Sequence, residues 1–554
     1  MKPSNLHLFI NGAIFTSDAS HPHADSMAVR NGRILWVGDK DAMPSEYASL
    51  LAAHPTGDEA GCFAVTDLGG RQVIPGFVDA HMHPVMLADL TNQIAVMPPA
   101  ITSMDDLAAA IRERRSRQKP GQWILGWGYD EQGFLEKRSP NRYDLDRGCD
   151  DAPVMITRTC VHIRCVNSAA LRLAGIDRNT PDPPGGMIER DENGEPTGIL
   201  KENARNLIMP FLPEISEEDR IRNLLDLGTL LSSQGITSIC DMGNLDGGDM
   251  MPIYEAAARR GFHQQTGVYY MWDLFCDDPD FSITKEKADR SRQIFAAGLK
   301  LIGDGSVSGR TAWMDKPYLG SEDEYGLQVA DDKLLHSAVR FCRENRLQLS
   351  VHAMGGRTIR HILDCVSSEA PWTPNTIPHV RIEHVTDPSL ESIRDAVSHG
   401  IAFVTQPIFL FAESASYIKN LGTDWTKKCY PVRTMLENGM RPAFSTDAPS
   451  TFWAVPSDPF PGLQFAVTRT AADGTDCGND EAIDMETAVT LYTRDAAMAA
   501  GFPDTGMLAP GYRADFAVLS SDIFHIPPHE LSQITVKETW ISGERVYAAP
   551  DLIS

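Results

Sequence analysis

Five short segments of this chain pair an apolar, strand-like run with a side chain able to hold a metal ion. In order they are Ile74-Pro-Gly-Phe-Val-Asp-Ala-His81-Met-His83, Gly298-Leu-Lys300, Leu349-Ser-Val-His352, Arg381-Ile-Glu-His384 and Ala443-Phe-Ser-Thr-Asp447. Residues i and i+2 of a β-strand point to the same side, so His81 and His83 can bind one ion together. Neutral imidazoles and carboxylates suit divalent zinc, nickel, manganese or iron. A lone His-x-His is weak evidence, whereas five such positions at the ends of apolar runs are hard to obtain by chance. The chemistry they point to is metal-assisted hydrolysis.

The elements that must position these residues follow from the same runs. Eight β-branched stretches recur, at 73–80, 235–241, 266–272, 298–304, 347–352, 380–384, 401–406 and 442–446. Most are separated by segments of helical period, such as 333–345, where Leu334, Leu335, Ala338, Val339, Phe341 and Cys342 turn inward. Alternating strands and amphipathic helices predict a parallel α/β sheet. Eight such strands predict a (β/α)8 TIM barrel, whose chemistry sits at the carboxyl ends of the strands. The five positions then fall on strands 1, 4, 5, 6 and 8 at one rim.

One connection is too long for a plain barrel. Residues 84–234 separate strands 1 and 2, and a structureless loop of that length is improbable. An inserted subdomain is expected at about 90–225, with strand-like runs at 122–129 and 153–157, and it would lie over the catalytic rim. Both termini return to β pattern. Asn11-Gly12 and Asn31-Gly32 read as hairpin turns, and 515–519 and 538–547 alternate again near the other end. The expected organisation is a small composite β-sandwich from 1–72 and 501–554, around a barrel spanning 73–500.

Composition narrows the partners. Lysine plus arginine number 50 against 75 aspartate plus glutamate, a formal charge of −25, which disfavours nucleic acid and anionic membranes. The beginning lacks a signal-peptide pattern and no apolar run approaches the length of a membrane span, so a cytoplasmic protein is expected. Ten cysteines without a Cys-x-x-Cys read as reduced thiols. The expected partner is a small-molecule substrate, with a homodimer left open.

Taken together, the motifs resemble the metal-dependent amidohydrolase superfamily, in the amidohydrolase family 3 branch typified by N-substituted formamide deformylase. The resemblance runs over nearly the whole chain. It rests on Pro75-Gly-Phe-Val-Asp-Ala-His-Met-His83, Gly126-Trp-Gly-Tyr-Asp130, Val166-Asn-Ser-Ala-Ala-Leu171 and Gly194-Glu-Pro-Thr-Gly-Ile-Leu-Lys-Glu202. Further on it rests on Lys300-Leu-Ile-Gly-Asp-Gly-Ser306, Gly309-Arg-Thr-Ala312, His352-Ala-Met-Gly355, Glu383-His384 and Ser445-Thr-Asp-Ala-Pro449.

The resemblance implies a site of one or two divalent ions, zinc ahead of manganese, iron or nickel. His81, His83 and Asp447 would hold one ion, and His352 and His384 the other. Lys300, carbamylated by CO2, would bridge them, since an ammonium cannot ligate a cation. The alternative for Lys300 is a salt bridge to Asp304 or another barrel carboxylate, and a single ion. A metal-bound hydroxide would attack a C–N bond of an amide, formamide or cyclic amide, with Asp447 as general base and then general acid. Ester or lactone hydrolysis at the same centre is one alternative, and a non-catalytic regulatory protein retaining the fold is another.

The resemblance also places His162 against the substrate, although Thr159-Cys160-Val161 before it departs from the branch, where an acidic and a small residue are usual. Arg310 and Asp304 follow strand 4 and could bind a polar group of the substrate, or pair with each other. Aromatic clusters at Trp313-Met314, Ile408-Phe409-Leu-Phe411 and Thr451-Phe-Trp453, joined by Trp127 and Tyr129 from the insertion, predict an aromatic or bulky apolar substrate.

Overall fold

A computed structural model describes residues 6–56, 63–119, 121–159, 163–244, 248–374 and 376–552. Eight parallel strands form one sheet in sequential order. They are β1 (Phe77–Met82), β2 (Ile236–Asp241), β3 (Gln265–Met271), β4 (Ile294–Ile302), β5 (Gln348–Ala353), β6 (Val380–His384), β7 (Ala402–Thr405) and β8 (Ala443–Phe444). The sheet curls into a nearly closed (β/α)8 barrel. β8 is only two residues long, and closure is completed beyond its end. There Asp447 N donates to His81 O at 2.7 Å and His83 N donates to Ala448 O at 2.8 Å. Three candidate ligands, with the residue after Asp447, therefore form the seam.

The helices obey the 3.6-residue period. α1 (Asp332–Asn345) is capped by Asp331, which accepts from Leu334 N, and buries Leu335, Ala338, Val339 and Cys342. Leu334 and Phe341, expected inward, are half-buried instead. α2 (Gly356–Val366) buries Thr358, Ile359, Ile362, Leu363 and Val366 against the barrel. α3 (Pro407–Leu421) begins directly after β7 with proline near its first turn, where no backbone donor is needed.

The stretch read as one strand, 73–80, divides at Gly76. Gln72–Pro75 pairs with Ala13–Phe15 and Phe516–Leu519, while β1 pairs with β2. A side chain at Gly76 would run into Thr237, so the chain passes from one sheet to the other at a glycine. The sandwich is composite, as expected. One sheet joins Ala13–Phe15, His23–Ala24 and Gln72–Pro75 to Phe516–Leu519, Val536–Ile541 and Glu544–Ala548; the other is wholly N-terminal. Phe9, Val29, Val73, Leu508, Phe516 and Trp540 share its core.

The two Asn-Gly pairs behave differently. Asn31 and Gly32 both have positive φ between the paired Arg30 and Arg33, the tight hairpin that the dipeptide favours. Asn11-Gly12 is not a hairpin. The strand before it, Leu6–Ile10, pairs with Ser26–Arg30, whereas Ala13–Phe15 pairs with His23–Ala24 in the other sheet. Positive φ here redirects the chain between layers.

Residues fall into two compact units: Met1–Pro84 with Leu227–Pro449 and Ser457–Ser554, and Val85–Asp226 with Ser450–Pro456. The second unit has its own mixed six-stranded sheet, which includes Ile124–Tyr129 and Val154–Arg158 side by side. Its core is built from Leu107, Ile111, Ile124, Tyr129, Leu145 and Ile156 among others. No helix among the described residues is long and apolar enough to cross a membrane.

Candidate metal centre

At the carboxyl rim of the barrel, four imidazole rings form a row. Ring centroids run His83 to His81 at 5.8 Å, His81 to His384 at 4.8 Å and His384 to His352 at 4.3 Å. Each ring makes one hydrogen bond that decides which nitrogen keeps its proton. His81 Nδ1 donates to Glu383 Oε2 at 2.6 Å, and His83 Nδ1 to Gly243 O at 3.3 Å. His384 Nδ1 donates to Gln406 Oε1 at 2.8 Å, and the Gln406 amide is oriented by its own bond to Ser445 Oγ. His352 uses the other nitrogen, with Nε2 donating to Gly305 O at 2.9 Å. The lone pairs left over are Nε2 of His81, His83 and His384 and Nδ1 of His352.

Asp447 meets the row from the far side of the seam. Its Oδ1 lies 3.3 Å from Nε2 of both His81 and His83. It is buried, yet no hydrogen bond of acceptable angle reaches it. That follows from the tautomers, since lone pairs face the carboxylate where protons would be needed. A buried carboxylate oxygen aimed at imidazole lone pairs is a donor set that suits a cation. Ligand atoms of His81, His384 and Asp447 all fall within 4.8 Å of one another. The residues therefore fit a divalent ion.

Burial raises the Asp447 carboxyl, but positive charge at His81 and His384 outweighs it and holds it well below the ordinary range, a part that a bound cation would take. Burial lowers His384 strongly, and His352 and His81 lower it further. His352 is lowered by burial against the opposing pull of Asp304. Neutral imidazoles and an ionised carboxylate are the forms that bind metal. Lys300, 1 % exposed, points its Nζ at His81 Nε2, 3.3 Å away. Burial brings it down to about 8, so roughly a tenth is neutral amine at pH 7. It faces His81 rather than Asp304.

Two candidate ligands stand on left-handed backbone: His384 has φ 72° and Asp447 has φ 57°. Neither is a glycine, and such geometry is sparsely populated by ordinary residues. It turns the chain sharply at the ends of β6 and β8 and aims both side chains inward.

Several residues that organise the site had no role assigned from sequence. Arg381 and Glu383 are both fully buried in the barrel. Arg381 Nε donates to Glu383 Oε1 at 2.6 Å and its Nη1 to Tyr269 Oη at 3.1 Å, while Ser350 Oγ donates to Glu383 at 2.8 Å. Burial pushes Glu383 up, but Arg381 and His81 hold it well below the usual carboxylate range. Asp79 accepts from the backbone of Thr446 at 3.1 Å and of His81 at 3.3 Å, and burial lifts it to about 7. The available signal was alternation: Arg381 and Glu383 are charged at i and i+2 in an apolar strand.

The other residues singled out from sequence fare unevenly. Asp304 is buried and does not face a substrate. Its carboxylate accepts from Met354 N, Gly355 N, Trp313 N and Thr358 Oγ1 at 2.8–3.0 Å, and lies 3.4 Å from His352 Nε2. It ties the loop after β4 to that after β5. Arg310 pairs with neither Asp304 nor a free space. Its guanidinium is bound to Glu324 at 2.5 Å and to Leu319 O at 3.2 Å, inside its own loop. Phe409 stacks on His384, with centroids 5.9 Å apart and planes at 14°. Trp313 is half-buried and sets its edge against His361. Tyr129 is fully buried in the core of the second unit beside Phe134, so it packs rather than lines a pocket. Trp127 is half-buried on the same strand. Trp453 lies in 450–456, the segment that groups with the second unit instead of the barrel. His162 lies outside the described residues.

With this geometry in place, the comparisons with known proteins can be read. The amidohydrolase family model Amidohydro_3 matches residues 64–547. This chain belongs to the amidohydrolase family. The YtcJ amidohydrolase of Bacillus subtilis (strain 168) is 32% identical, over 97% of this chain and 98% of its own. N-substituted formamide deformylase of Arthrobacter pascens is 27% identical, over 97% of both chains. Among solved structures, an uncharacterized metal-dependent hydrolase of Pyrococcus horikoshii OT3 superposes with a TM-score of 0.72 at 23% identity. That match covers 95% of this chain and 99% of the other. Family membership makes this protein a hydrolase acting on carbon–nitrogen bonds.

Proposed function

We propose that this amidohydrolase cleaves the C–N bond of a small amide or formamide whose amine or acyl side carries an aromatic or apolar group. The observation that carries the metal part is the buried Asp447 Oδ1, unbonded and facing imidazole lone pairs. His81, His83 and Asp447 would hold one ion through Nε2 atoms and Oδ1. His352 Nδ1, His384 Nε2 and a carbamylated Lys300 would complete a second, with zinc the first choice for this donor set. A divalent ion in such a site lowers the pKa of water and polarises a carbonyl.

The chain's own residues do the rest. Asp447, kept ionised beside the histidines, accepts a proton from the attacking water as the oxygen adds to the carbonyl carbon. It then returns that proton to the nitrogen as the C–N bond breaks, leaving a carboxylic acid and an amine. Glu383 holds His81 in the tautomer that frees Nε2. Gln406 does the same for His384. Lys300, neutral in part because it is buried, can take up CO2 to become an anionic oxygen donor.

Phe409, flat against His384, supports an apolar group next to the scissile bond, and the similarity to a formamide deformylase agrees with that class. The test is to strip metal with a strong chelator, restore zinc or manganese, and assay N-aryl and N-benzyl formamides beside polar ureides. Full activity in metal-free protein, or a preference for ureides, would rule the reading out.

A further inference from the structure

We propose that Asp332, His361 and Cys365 form a second cation site, on the outside of the barrel, for a zinc-class divalent ion. Their ligand atoms all lie within 4.8 Å of one another. His361 and Cys365 are four residues apart on α2, one turn on the same face. Asp332 opens the neighbouring helix α1.

The local bonding prepares the imidazole for a metal. His361 Nε2 lies 3.3 Å from Asp332 Oδ1 and accepts from Gln328 Nε2 at 3.2 Å. That amide is held in its orientation by a second N–H bond to Ala330 O at 3.0 Å. Nε2 thus carries the lone pair, which an ion held with Asp332 and Cys365 would take over from the Gln328 N–H, and Nδ1 carries the proton. The carboxylates nearby have other duties: Asp331 caps α1 through Leu334 N, and Asp364 is engaged by Arg360. The ligand set is narrowed to three, and the fourth tetrahedral position falls to water.

Electrostatics favours a cation there. Burial, Asp332 and Asp364 all raise the Cys365 thiol, so the anions that disfavour a bare thiolate would favour a thiolate paired with a divalent ion. One sulfur, one imidazole and one carboxylate suit zinc, cobalt or cadmium and not magnesium or calcium. Entry is open, because the Asp332 side chain is 73% exposed and that of His361 20%. A bound ion would clip the first turn of α1 to α2, the helix that follows β5 and His352.

The test uses the full-length protein with its catalytic centre already loaded with zinc, titrated with Co2+. The catalytic ligand set contains no thiol, so a thiolate-to-cobalt charge-transfer band reports on a cysteine site alone. The band should saturate at one equivalent in the wild type and in Cys276→Ser, the control for another accessible thiol. It should vanish in Cys365→Ser, and its affinity should fall at least about tenfold in His361→Gln and Asp332→Asn. Zn2+ should also slow alkylation of Cys365 in the wild type by about tenfold or more, a readout that needs no variant to fold. No band in the wild type, a band that survives Cys365→Ser or disappears in Cys276→Ser, or no protection from alkylation would each overturn the proposal. Hydrolysis by the zinc-loaded Cys365→Ser protein should be unchanged, which separates this site from the catalytic one.

Discussion

Glu383 Oε2 stands 2.6 Å from His81 Nδ1 in the middle of the barrel, and the carboxylate is itself clamped by Arg381. This pair converts a strand-borne histidine into a ligand with a defined tautomer. Replacing Glu383 by Gln should lower zinc affinity by about 10–100-fold, the usual cost of losing such a support. It should also destabilise the fold by roughly 3–5 kcal/mol, because Arg381 is left buried without its counter-ion. Chelator competition and denaturant melts measure the two effects. Unchanged affinity in folded Glu383→Gln protein would show that the tautomer is set elsewhere.

Asp447→Asn should leave the fold intact while reducing kcat by about 10²–10⁴-fold, the range expected for a lost proton shuttle. The amide can still occupy the position but cannot carry the proton. Single-turnover kinetics on metal-replete variant protein is the measurement. A variant that keeps more than a tenth of the wild-type rate would remove Asp447 from that role.

Lys300→Ala should lose one of two bound ions, read by elemental analysis of desalted protein, and short carboxylic acids should restore part of the activity by standing in for the carbamate. Wild-type protein incubated with isotopically labelled bicarbonate should show a carbamate carbon resonance that the variant lacks. Retention of two tightly held ions in the variant would count against the bridge.

Phe409→Ala should reduce kcat/KM for N-benzyl formamide by about ten- to a hundredfold, consistent with roughly 1–3 kcal/mol of pocket contact. It should change formamide itself far less. Equal losses on both substrates would mean that the ring supports His384 and not the substrate.

Asp458 gives a pH test away from the metal. It caps the helix Pro459–Thr468 through Phe460 N at 3.0 Å, and burial lifts its carboxyl from 3.8 to about 6. Its folded-state value is raised, so its contribution to stability is complete below about pH 4 and is lost as pH rises through about 6. Asn retains the cap and cannot ionise. Asp458→Asn should therefore be more stable than wild type at pH 8, by at most roughly 3 kcal/mol, with the gain shrinking toward pH 4. Denaturant midpoints across that range decide it; a gain independent of pH would contradict the assignment.

The barrel and the side chains that meet at its rim were legible because both depend on short-range pattern. His81 and His83 share a side by strand alternation, and His352, His384 and Asp447 each close an apolar run. What was illegible depended on partners distant in sequence or on side-chain depth. Nothing near Arg310 reveals that Glu324 and the Leu319 carbonyl will claim its guanidinium. Tyr129 reads as an aromatic near the rim, yet an irregularity in strand register between Trp127 and Tyr129 breaks the alternation and turns it into an apolar core. Asp304 looks like a polar anchor until the backbone N–H groups of Trp313, Met354 and Gly355 converge on it. Asn11-Gly12 carries the hairpin dipeptide but sits where two sheets exchange the chain. His361 lies in a plain helical stretch of the sequence and meets Asp332 and Cys365 only once α1 and α2 are packed side by side.

The left-handed backbone at His384 and Asp447 has a bearing on how this enzyme would respond to selection. Holding a non-glycine residue there costs on the order of 1–2 kcal/mol, a tension that glycine would release at either position. A population bred for heat tolerance alone would accordingly drift toward glycine at these two codons and surrender its chemistry in exchange for robustness. Thermal engineering of this scaffold should hold both positions constant and look for its gains elsewhere.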